Sequence, residues 1–140
     1  MPATPPQIKK VLVDAGFEVF RTKGDEIVLA ERPRENLIMD SGVRLKFAPP
    51  LKVRLVLRTQ QADYPSEDEL RLFERVRALA GPALAKGFAE MQSTVSNVTD
   101  PSDAERTLDT FFEILYEKNV LSLDAAVDEL RFAMSIEKRA

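Results

Sequence analysis

Residues 35–59 read ENLIMDSGVRLKFAPPLKVRLVLRT, and two runs within them alternate apolar and charged side chains. In Leu51–Thr59 the odd positions Leu51, Val53, Leu55 and Leu57 are apolar. The even positions Lys52, Arg54 and Arg58 are cationic, with Val56 among them. In Val43–Phe47 the residues Val43, Leu45 and Phe47 are apolar, and Arg44 and Lys46 alternate with them. A period of two belongs to β-strands, whose successive side chains point to opposite faces. The runs flank Ala48-Pro49-Pro50, so antiparallel pairing around that connection puts Arg44, Lys46, Lys52, Arg54 and Arg58 on one open face. Like charges set opposite one another on neighbouring strands are destabilising. Water and salt, an acidic segment of the same chain such as 67–74 or 103–105, or an acidic partner could each offset the repulsion.

Upstream of this pair, Thr4-Pro5-Pro6-Gln7 has the form of a helix start, with a capping threonine, Pro at the first helical position and Gln reaching back. Ile8, Val11, Leu12 and Ala15 then share one helical face, and Gly16 suits the stop. Strands are expected at Phe17–Thr22 and Glu26–Glu31 around a Lys23-Gly24-Asp25 turn. Arg32-Pro33-Arg34 interrupts, because Pro33 cannot donate to a ladder. A short strand at Asn36–Met39 and a tight turn at Asp40-Ser41-Gly42 complete a meander of three to five strands.

Beyond Gln60 the pattern reads as helical. Ser66 with Glu69 makes one helix start, followed by an apolar face of Leu70, Phe73, Val76, Leu79 and Ala80. Gly81-Pro82 ends or kinks that helix, and another segment is expected from about Pro82 to Met91, with a loop at Val95–Asp100. Ser102-Asp103-Ala104-Glu105 has the form of a capping box, and Leu108, Phe111, Phe112, Leu115 and Tyr116 form a stripe at helical spacing. Ser122 caps a last helix carrying Ala126, Val127, Leu130 and Met134, with a polar tail at 137–140 expected to fray. Strands followed by helices imply an α+β fold. The expected architecture is an N-terminal helix, an antiparallel meander, and three or four C-terminal helices packed on one sheet face. The chain is read as one domain, with helix plus sheet over 1–60 and a helical part over 61–140.

The 140 residues contain no Cys, His or Trp. Disulfides and thiolate chemistry are therefore excluded, and so is the commonest general base and metal ligand. No glycine-rich phosphate loop or calcium-loop pattern occurs. Asp40-Ser41-Gly42 lacks a histidine base for a nucleophile and reads as a turn. The acids Glu67-Asp68-Glu69 suit a helix N-terminus better than a cation site. An enzyme is not expected, and no cofactor or metal is implied.

The net charge of −3 is unevenly spread: residues 1–60 hold 11 Lys/Arg and 7 Asp/Glu, and residues 61–140 hold 9 and 16. The pI of about 5.1 and the absence of aromatics among the sheet cations argue against nucleic acid. No apolar run approaches the length of a membrane span, and the start of the chain lacks the order of a signal peptide. A cytoplasmic location without membrane insertion is expected.

The stretch QIKKVLVDAGFEVFRTKGDEIVLAE, a short helix ending at Gly16 that enters the sheet, resembles the layout of the type III secretion chaperone-like fold, including YbjN-type proteins. The resemblance covers about the first 95 residues. It implies partner binding and dimerisation rather than catalysis.

The expected function is a non-enzymatic protein-interaction module, acting as adaptor, chaperone or regulatory subunit. It would bind an acidic partner protein through Arg44, Lys46, Lys52, Arg54 and Arg58. One alternative is a regulator of a signalling protein such as a response regulator or small GTPase. Another is a small-ligand or phosphate-binding sensor using the same cations. Phe112, Tyr116 and Phe132 are candidates for an oligomer interface, where aromatics are enriched.

Overall fold

The computed structural model describes residues 4–140; Met1–Ala3 lie outside the described residues. The elements are α1 (Pro5–Asp14), β1 (Val19–Lys23), β2 (Glu26–Arg34), β3 (Leu37–Lys46), β4 (Lys52–Gln60), α2 (Glu69–Leu79), α3 (Gly81–Ala85), β5 (Ala89–Asp100), β6 (Asp103–Asn119) and α4 (Leu123–Ser135), with a single 3-10 turn at Gln61–Asp63. The class is α+β. The strands form one sheet ordered β1-β2-β3-β4-β6-β5. Two compact units make up the chain, Met1–Leu55 with Glu117–Ile136, and Val56–Tyr116 with Glu137–Ala140. Strands β4 and β6 contribute residues to both.

In the first unit, Thr4 caps α1 as its sequence suggests: its hydroxyl accepts from the Gln7 amide at 3.4 Å, and the Gln7 side chain accepts from the Thr4 amide at 2.8 Å. Ile8 and Leu12 are the buried face. Strands β1, β2 and β3 pair antiparallel in turn, and β3 pairs with β4 through Val43–Leu55, Arg44–Arg54, Leu45–Val53 and Lys46–Lys52. Val43, Leu45, Val53 and Leu55 are completely buried. Helix α4 packs against β3, and α1 against β1. Ser122 caps α4, accepting from the Ala125 amide at 3.1 Å. Its buried face is Ala126, Leu130 and Ala133.

Asp40-Ser41-Gly42 is not a turn. It lies inside β3, where the register against β2 shifts between Val28 and Ala30. The extra residues form a bulge. Gly42 supplies the positive φ of 80°, Asp40 Oδ1 accepts from the Gly42 amide at 2.7 Å, and the Ser41 hydroxyl donates to the Leu29 carbonyl at 2.7 Å. The same local chemistry that makes a turn here re-aims a long strand. Pro33 also falls within β2, in its exposed outer part.

In the second unit, α2 is capped by Asp68 rather than Ser66, through its bond from the Arg71 amide at 2.9 Å. Leu72, Phe73 and Val76 are buried, whereas Leu70 is exposed. The segment after Gly81-Pro82 is helical only to Ala85. Residues 89–119, read as helix, loop and helix, are instead the strands β5 and β6. The region 61–140 is therefore not a helical part, and only three helices follow the meander, with a hairpin set between them.

The residues that resemble a capping box form the turn of that hairpin: Asp100 accepts from the Ser102 amide at 2.9 Å and its hydroxyl at 2.7 Å, and Asp103 accepts from the Glu105 amide at 3.1 Å. Thr110 to Asn97, at 3.0 Å, ties the two strands. In β6 the buried residues Phe112, Ile114 and Tyr116 recur every second position. The tail at 137–140 does not fray. Arg58 of β4 donates to the Lys138 carbonyl at 2.8 Å and accepts from the Ala140 amide at 2.9 Å.

Candidate functional site

The sheet cations carry the strongest sequence signal. Their register is as expected: Arg44 faces Arg54, and Lys46 faces Lys52. In the first unit the chain's own carboxylates resolve that repulsion. Lys52 Nζ and Arg54 Nε donate to the two Glu117 carboxylate oxygens, each at 3.1 Å. Arg54 also donates to Glu26 at 3.2 Å. Arg44 donates to Asp40 at 2.9 Å, Arg21 lies 3.9 Å from the same carboxylate, and Lys46 lies 4.0 Å from Asp25. Arg44, Lys46, Lys52 and Arg54 thus all have acidic neighbours and are only partly exposed. None of the acidic segments named from the sequence supplies them; the donors of negative charge sit on or beside the same strands.

Glu117 is the centre of this network, at 9% exposure. Burial alone would push its carboxyl up, but the hydrogen bonds and charges of Lys52 and Arg54 outweigh that and hold it below the usual carboxylate range. Cations held in bidentate or bridged pairs are poorly available to an incoming anion, since a partner would first have to displace a partly buried carboxylate.

Arg58 belongs to the second unit. Its guanidinium lies 4.5 Å from the Phe111 ring centroid, a cation–π contact. Phe112 and Tyr116 are core side chains there. Phe112 meets Phe73 edge-on at 5.5 Å between centroids, and Tyr116 is fully buried. Burial, with the Glu90 carboxylate nearby, pushes the Tyr116 phenol up to about 12. Phe132 is half-buried on α4 in the first unit.

Two further surfaces were not singled out from sequence. The first is an apolar groove of about 500 Å³ in the first unit, lined by Ile8, Phe47, Pro49, Pro50, Leu51, Val120, Leu121 and Leu123. Leu121 on its rim is fully exposed.

The second is β5, the last strand of the order. It runs for 12 residues, and no charge or proline occurs from Met91 to Thr99. Residues 89–95 are exposed on both faces, and so are residues 103–108 of β6. Met91 is 53% exposed and Val95 46%. They lie four residues apart and so share a face. The uninterrupted run MQSTVSNVT between Glu90 and Asp100 is the signal that could have found this edge.

Among the described residues, no three or more acidic side chains are grouped so as to hold a metal ion. No helix among them is long and apolar enough to cross a membrane. No family model, curated protein or solved structure matches this chain.

Proposed function

We propose that this protein is a non-enzymatic protein-interaction module, an adaptor, chaperone or regulatory subunit, that makes its contact by strand addition at β5. The observation that carries the reading is the open edge of β5. A row of unpaired backbone N–H and C=O groups is a template for another strand, and proteins ordinarily blunt it with charge, proline or cover. From Met91 to Thr99, β5 has neither charge nor proline. In this reading the cations Arg44, Lys46, Lys52 and Arg54 are structural, because the chain's own carboxylates already match them.

A photo-crosslinking residue at position 95, compared with one at position 54, tests the reading in native lysate. A protein adduct at 95 and none at 54 is expected. Adducts at 54 alone would return the contact to the basic face, and adducts at neither would overturn the module.

A small-ligand sensor is the second reading, favoured by the apolar groove at Phe47, Leu51 and Leu123. Its size is that of a small-molecule site. Its lining suits an apolar ligand rather than a phosphate. Thermal stabilisation by medium-chain fatty acids, abolished by Leu51→Asp, would support it; no shift with such probes would remove it.

A further inference from the structure

The β5–β6 hairpin presents a physical difficulty. Residues 89–95 are exposed on both faces, although the contacts of Asn97 with Thr110 and of Glu90 with Tyr116 set them beside the buried part of β6. An edge strand with an open backbone row is ordinarily shortened, charged, broken by proline or covered. Yet this one is long, unguarded, and carries Met91 and Val95 in solvent.

We infer that the partner at this edge is a second copy of the chain, paired antiparallel β5 to β5 about a two-fold axis at Ser93; this rests on the reading of β5 as the contact surface. The register follows from the side chains. With the axis at Ser93, Met91 of each copy faces Val95 of the other, so symmetry makes two apolar pairs at once. Gln92 then faces Thr94, and Glu90 faces Ser96, so no carboxylates oppose each other. Moving the axis to Val95 would set Glu90 against Asp100 and leave Met91 facing Thr99. Charge and apolar pairing therefore select the same axis. The contact is isologous, the commonest arrangement among soluble oligomers. Pairing satisfies the open backbone row and gives each β5 a second neighbour.

Light scattering on the full chain tests this. The wild type is expected at twice the chain mass of 15.7 kDa across the micromolar range. Ser93→Lys puts two ammonium groups opposite each other at the axis and should give the single-chain mass; Ser93→Glu should do the same. Residue 93 is exposed, so both variants should fold. Mixing the two variants in equal amounts should restore the doubled mass, which a merely misfolded variant could not do. A doubled mass in each variant alone, or a mixture that stays at the single-chain mass, overturns the inference. A wild type of single-chain mass overturns it too. If position 95 then still crosslinks to a different protein, the module reading survives; if it crosslinks to nothing, both fail.

Discussion

Strands β1 and β5 both end the strand order, and they are finished differently. β1 has five residues, carries Arg21 and Lys23, has an irregular register between Val19 and Arg21, and lies against α1. Each of these features blunts an edge. β5 has 12 residues and carries no charge and no proline between Met91 and Thr99. The same contrast holds for charge. In the first unit, Arg21, Arg44, Lys46, Lys52 and Arg54 each have a carboxylate within 4.0 Å. Along β5, what is unmatched is backbone. Charge density marks the region that has settled its own electrostatics, and the neutral strand marks the region with hydrogen-bonding capacity to spare.

If that contrast is right, disturbing the matched region should change stability, and disturbing β5 should change association. Glu117→Ala leaves Lys52 and Arg54 without their shared carboxylate. It should reduce the unfolding free energy by about 3 kcal/mol, read by denaturant titration. Loss of self-association in that variant, with the fold intact, would break the contrast.

Acid should act through the same group. The Glu117 carboxyl is held below its ordinary 4.5 in the folded protein. Its contribution is therefore complete above about 4.5 and is lost as pH falls through the lower, folded value. The denaturation midpoint should fall with pH in that window, and Glu117→Gln should flatten the slope.

Arg58→Ala removes the guanidinium from Phe111 and should lower stability by about 1 kcal/mol, with the C-terminal backbone pairing unchanged by proton exchange. The smallest effect is expected at β5. Ser93→Lys should leave the stability of the single chain within about 0.5 kcal/mol of wild type while abolishing association.

Much of the first unit is legible in the sequence. The Thr4–Gln7 cap, the alternation of β3 and β4 and the Ser122 cap each have one local solution, and each occurs. The hairpin was not legible because β6 satisfies two periods. Leu108, Phe111, Phe112 and Leu115 fit a helical stripe, whereas Phe112, Ile114 and Tyr116 fit a strand, and only pairing with neighbouring strands decides between them. Asp, Ser and Thr serve caps, turns and bulges through the same short-range bonds, so Asp40-Ser41-Gly42 and Ser102-Asp103 each looked like the wrong one. The basic face was legible as a face, but its neutralisation was not. Glu117 lies 65 positions from Lys52 in the chain, and nothing local joins them.

Amide hydrogen exchange resolved along β5 and β1, followed against protein concentration, tests the central claim most directly. The account predicts that outward-facing amides between Met91 and Asn97 become more protected as concentration rises, and that those of Val19–Lys23 do not. Exchange in β5 that stays fast and independent of concentration, or protection that rises at β1 instead, would contradict it.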